Sequence, residues 1–153
     1  MVLMRQYQIY LIKEHFAGMY VGREQLLYSL FLDYYHARGQ IARIIGRQIV
    51  YVTKRIPSQL TDHFNNDKIE GMMVLNDENG TTYQIDCRTN NGMKSSASLE
   101  IHNRVLYIQS VGSYEAETIF FEFIRKCADS FLAVELAESR YGWLKPRKKR
   151  KLI

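Results

Sequence analysis

Apolar and polar positions follow several rhythms along this chain, and each rhythm predicts a different element. Residues 7–12 read Y-Q-I-Y-L-I, aromatic and β-branched with apolar side chains on both faces. That pattern predicts a strand in the middle of a sheet. Residues 13–22 break it with Gly18 and Gly22, yet still carry Phe16, Met19, Tyr20 and Val21. From Arg23 the period becomes helical: Leu26, Leu27, Leu30, Phe31, Tyr34 and Tyr35 recur at i, i+1, i+4, i+5, i+8 and i+9. This is a wide stripe of the kind that packs on a core. Gly39 is expected to stop that helix. Residues 41–45 predict a further short turn ended by Gly46, and the β-branched run 48–53 (Q-I-V-Y-V-T) predicts a second strand.

Pro57 and Ser58 open a short helix holding Leu60 and Phe64, closed by Asn65, Asn66 and Asp67. Residues 72–75 and 81–87 flank the turn D-E-N-G at 77–80 and predict a hairpin. Asn90, Asn91 and Gly92 form another turn. Residues 98–102 and 105–109 predict a second hairpin across Asn103 and Arg104. The strongest helical signal follows Gly112: Ala116, Ile119, Phe120, Phe123, Ile124 and Cys127 repeat at i, i+3, i+4, i+7, i+8 and i+11. Ser113 is the expected N-cap, Glu115 and Glu117 suit the positive helix end, and Arg125 and Lys126 suit the other. Residues 131–136 form a short apolar run, strand or helix, and R-Y-G-W-L-K-P at 140–146 closes the folded part. The expected class is α/β: a single domain with a mixed, mostly antiparallel sheet packed by helices. The pattern leaves the strand order open.

With 153 residues, one domain is the default. Eleven Tyr and seven Phe against two Pro argue against disorder. No apolar run approaches the ~18 residues of a membrane span, and charges at Arg5, Lys13 and Glu14 interrupt any signal-peptide core. Cys87 and Cys127 stand alone, without C-x-x-C or zinc spacing, so both thiols are expected reduced. These features predict a cytoplasmic protein.

The net charge of +5 is concentrated at one end. Six of the 21 basic residues lie between Lys145 and Lys151, which leaves 15 against 16 acidic residues elsewhere. The expected organisation is a globular domain over residues 1–146 and a basic tail over 147–153. The tail reads either as a solvated end or as a weak, salt-sensitive contact with DNA or an acidic partner.

Catalytic chemistry has little support in the sequence. His15, His36, His63 and His102 do not pair at helical spacing, and no H-E-x-x-H occurs. Ser113 sits in V-G-S-Y-E, where Tyr114 and Glu115 occupy positions that a nucleophile elbow keeps small. Gly80, Gly92 and Gly112 build neither a phosphate loop nor a dinucleotide motif. No enzyme activity, metal or cofactor is expected. Most aromatics fall on periodic core faces, but Phe16 and Tyr20, at i and i+4 between glycines, could form one exposed knob of the kind found at protein interfaces.

Three stretches together resemble the SirA family, the sporulation inhibitors of replication of endospore-forming bacilli. They are Y-L-I-K-E-H-F-A-G-M-Y-V-G-R-E at 10–24, Q-I-V-Y-V-T at 48–53, and G-S-Y-E-A-E-T-I-F-F-E-F-I-R at 112–125, the last continued by F-L-A and R-Y-G-W-L-K-P. Little residue-level likeness lies between about 58 and 107. The resemblance implies a non-enzymatic regulator that binds the N-terminal domain of the replication initiator DnaA and so is recruited to the origin region. It implies Phe16 and Tyr20 as anchors, with Gln48, Tyr51 and Val52 adding polar and apolar contacts, and Pro146 holding the C-terminal segment. The competing reading is a DNA-binding regulatory module acting through its basic tail.

Overall fold

The structure, a computed structural model, describes residues 4–67 and 69–147. One antiparallel sheet runs through it. Its strands are β1 (Met4–Ile12), β2 (Thr53–Lys54), β3 (Met72–Asp77), β4 (Gly80–Arg88), β5 (Lys94–Ile101), β6 (Leu106–Gly112), β7 (Phe131–Glu135) and β8 (Arg140–Trp143). The order across the sheet is β3-β4-β5-β6-β1-β7-β8, with β2 pairing the end of β1 at Leu11 and Ile12. Five helices pack on it: α1 (Glu14–Met19), α2 (Glu24–His36), α3 (Gly39–Val52), α4 (Ser58–Asn66) and α5 (Glu115–Arg125). The expected class, a largely antiparallel sheet packed by helices, is the one found.

β1 is central because its side chains are apolar on both faces. Tyr7, Ile9 and Leu11 join Leu60 and Phe64 of α4 and Phe120 and Ile124 of α5 in one core. Tyr10 and Ile12 point the other way, into a second core with Ala17, Leu27, Phe31, Ile49 and Val52. The period-two alternation of a strand therefore separates two helical layers. On the second face Tyr10 stacks on Phe31 with ring centroids 3.9 Å apart.

Three local expectations are overturned. Residues 48–52 are helix, not strand: α3 runs unbroken from Gly39 to Val52, and only Thr53 enters β2. Ile45, Ile49 and Val52 keep helical spacing toward the second core, and this packing outweighs the β preference of their branched side chains. Gly46 does not end the helix. It sits inside α3 facing the Tyr34 ring of α2, where a Cβ would make an ordinary van der Waals contact at 3.4 Å. Ser113 is not the cap of α5 either. Tyr114 holds that position, the buried Ser113 hydroxyl has no partner, and the Ala116 N–H donates to Ser95 Oγ on β5 at 3.2 Å. The neighbouring Gly112 is required: its φ is +83°, and a Cβ would stand 2.2 Å from the Lys94 carbonyl oxygen.

Residues 131–135 resolve as strand, and 140–143 as the edge strand beside them. Glu117, expected only to complement the helix end, is buried and accepts from Arg5 Nε at 2.7 Å and Ser110 Oγ at 2.8 Å. Cys127 lies half-buried just past α5, where burial pushes its thiol pKa up; Cys87 is likewise free. Among the described residues no helix is long and apolar enough to cross a membrane.

Candidate functional site

The short helix α1 is fixed at both ends. The Lys13 N–H donates to the Val52 carbonyl at 2.9 Å, which ties its start to the end of α3. Ala17 is fully buried and pins the middle. The Tyr20 N–H closes the last turn onto the Phe16 carbonyl at 3.0 Å, and Arg23 Nη2 donates to the Met19 carbonyl at 3.0 Å. Gly22, with φ of +86°, then redirects the chain into α2. Its N–H donates to Glu24 Oε2 at 3.0 Å, and the same oxygen accepts from Trp143 Nε1 at 2.9 Å. Burial alone would raise the Glu24 pKa. These hydrogen bonds outweigh burial and hold it below the ordinary carboxylate value.

On this frame Phe16 and Tyr20 are half-buried, resting on the second core with one side open, and Met19 beside them is 48% exposed. The last turn of α3 brings Tyr51 against Phe16. Tyr51 is 65% exposed, and its ring meets that of Phe16 edge to face, centroids 5.2 Å apart at 61°. Lys13 Nζ lies 5.2 Å from the centre of the Tyr51 ring. Gln48 is exposed one turn earlier. Val52, expected as an apolar contact, faces inward at 8% exposure and supports the surface from behind.

The structure thus joins Phe16, Tyr20, Gln48 and Tyr51 on one face, with Val52 beneath them. It also adds two residues that the sequence reading passed over. Ile41 and Ile44, 64% and 48% exposed, continue the Gln48–Tyr51 stripe at i, i+3, i+7 and i+10. That spacing was present in the sequence, but it was hidden once residues 41–45 and 48–53 were read as separate elements.

The C-terminal segment returns to the same neighbourhood. The Leu144 N–H donates to the Phe131 carbonyl at 3.0 Å, and Lys145 pairs with Asp129 at 2.8 Å. Arg147 pairs with Glu14 at the start of α1. Pro146 stands between these two ion pairs. The remainder of the basic tail, residues 148–153, lies outside the described residues.

The histidines do not converge. His63 pairs with Asp67 at 2.8 Å and stacks on Phe123, and His102 meets Tyr107 edge to face. Among the described residues no three metal-ligating side chains come together.

The sequence profile of the family described as sporulation inhibitor of replication protein SirA matches residues 5–148. A protein of Bacillus subtilis (strain 168) bearing that same description is 36% identical over 156 aligned positions, which cover 97% of this chain and 99% of the relative. With nearly its whole length accounted for by both comparisons, this chain belongs to the SirA family of sporulation inhibitors of replication.

Proposed function

We propose that this protein inhibits the initiation of DNA replication during sporulation by binding the N-terminal domain of the initiator DnaA through the α1–α3 face. The observation that carries this reading is the Phe16–Tyr51 ridge, one ring half-buried and one largely exposed, flanked by Tyr20 and Gln48. A ring held from behind by a packed core loses little freedom on binding, and buried aromatics of this kind carry most of the energy of an interface. The exposed Ile41 and Ile44 extend the apolar area along α3. Family membership supports replication control as the setting.

The protein acts as a binding module, with no reaction and no cofactor. It works in the cytoplasm and reaches the origin region together with DnaA. The inhibition follows from occupying a surface of the initiator that initiation requires.

The test is a titration of the full chain with the isolated DnaA N-terminal domain, read by calorimetry. A defined complex that Tyr51→Ala weakens by about thirtyfold or more, the scale of a lost anchor, supports the reading. Absence of binding, or a Tyr51→Ala variant that binds as well as the unaltered protein, overturns it.

A further inference from the structure

Beside the aromatic ridge the surface sinks into a cup of about 410 Å³ where the end of α3, β2 and the β5–β6 turn meet. Lys13, Arg47, Lys54, Arg55 and Arg104 line it together with Tyr51. Arg47, Lys54 and Arg55 are exposed, and Lys13 and Arg104 are half-buried. Among the described residues none of these five cations forms an ion pair with a carboxylate. The nearest acid in sequence, Glu14, is paired with Arg147. Arg104 uses one Nη1 donor on the Thr53 carbonyl at 3.2 Å. Five positive charges therefore converge on one mouth without an ion pair, while the rest of the body outside the 145–151 cluster is net acidic, with 10 basic against 16 acidic residues.

Such convergence costs self-repulsion, which an anionic occupant relieves. Resting on the proposed docking of a protein partner at the α1–α3 face, we infer that this cup receives an acidic segment of that partner, two or more Asp or Glu side chains, while the Phe16–Tyr51 ridge takes an apolar one. The layout favours a protein over a nucleic acid. The cations gather in a compact cup at the border of an apolar ridge, as at the charged rim of a protein interface. A polynucleotide needs a basic band that tracks its backbone. In this division of labour the ridge sets how long the complex lasts, and the cup sets how fast it forms and how strongly it depends on salt.

The experiment compares the full chain with Arg47→Glu/Arg55→Glu and with the milder Arg47→Gln/Arg55→Gln. Binding to the DnaA N-terminal domain is measured at low and at high sodium chloride, with thermal melts to establish folding. Unaltered protein is expected to lose about tenfold in affinity from low to high salt. The charge-reversed protein is expected to bind about tenfold more weakly at low salt and to show little further salt dependence, as expected when steering charges are removed; the neutral variant falls between. If the unaltered protein binds equally at both salts, or if folded variants bind as it does, the cup is not part of the interface even though the docking reading stands. If the unaltered protein fails to bind at either salt, the docking reading fails and this inference falls with it. A short DNA duplex serves as a control probe: salt-sensitive binding of DNA that the charge reversal abolishes, with DnaA binding intact, overturns the inference in favour of a nucleic-acid phosphate.

Discussion

The ring of Tyr51 stands edge to face against the ring of Phe16, 5.2 Å between centroids, although the two belong to different helices. Their effects on DnaA binding should therefore be coupled. Phe16→Ala and Tyr51→Ala should each cost about 2 kcal/mol of binding or more, and the double variant should cost less than their sum, by roughly 0.5–1.5 kcal/mol for an aromatic pair. Tyr51 is 65% exposed, so its removal should shift folding stability by only about 0.5 kcal/mol. A calorimetric double-mutant cycle measures both quantities. Strict additivity would mean that the two rings engage the partner independently.

The Arg5–Glu117 pair is the most deeply placed ionic contact described, with side-chain exposures of 13% and 2%. Arg5→Leu leaves the Glu117 carboxylate buried without its cation, although Ser110 still donates to it. That loss should destabilise the fold by about 3–5 kcal/mol, whereas Arg5→Leu/Glu117→Leu should cost markedly less because no charge is stranded. Urea unfolding of the two variants decides it. A double variant as unstable as the single one would mean that the pair contributes directly.

Glu24 gives a pH signature. Its pKa in the folded chain lies below the ordinary 4.5, because the Trp143 indole and the Gly22 N–H outweigh the opposing effect of burial. A carboxyl of this kind adds stability above its unfolded pKa and loses it as the pH falls through the folded one. Glu24→Gln should therefore be less stable than the unaltered protein at neutral pH, and the difference should close in acid well below 4.5. Chemical-denaturation midpoints at the two pH values test this. A gap that persists in acid would show that the charge is not its source.

Removing residues 148–153 separates the two classes of mechanism. The Arg147–Glu14 pair and the α1–α3 face are retained in that truncation. Binding to the DnaA N-terminal domain should change by less than about fivefold, the scale of one exposed ion pair. Inhibition in a reconstituted origin-opening assay should persist as well. Loss of inhibition with DnaA binding intact would point to a DNA contact made by the tail.

The sequence announced those elements whose periodicity agrees with their packing. The central place of β1 follows from apolar residues on both its faces, and α4 and α5 lie where their apolar stripes put them; α2 forms where its period predicts, but it buries Leu27, Tyr28 and Phe31 and leaves Leu26, Tyr34 and Tyr35 of the expected stripe exposed. α3 was missed because Ile49, Val50 and Val52 favour strands locally, while the arrangement that makes them helical, seating Ile45, Ile49 and Val52 on β1 and α2, is non-local. Gly46 suggests a helix end from its residue type alone, yet the packing of α3 carries the helix through it. Ser113 looked like a cap because Ser95, the side chain that performs the task, is distant in the chain.

At the candidate site the same rule holds. Phe16 and Tyr20 could be picked out as a pair from their spacing. Their meeting with Tyr51, and the burial of Val52 behind them, depend on where α3 ends relative to α1. No periodicity encodes that relation.

Arg147 is seated on Glu14 at the start of α1, so the described C-terminal segment ends against the helix that carries Phe16. A fluorescent reporter or affinity tag placed there would sit close to the helix that carries the proposed docking residues. The opposite end of β1, near Met4, is nine strand residues away, roughly 25–30 Å at strand rise. Labels for imaging or immobilisation belong on that side.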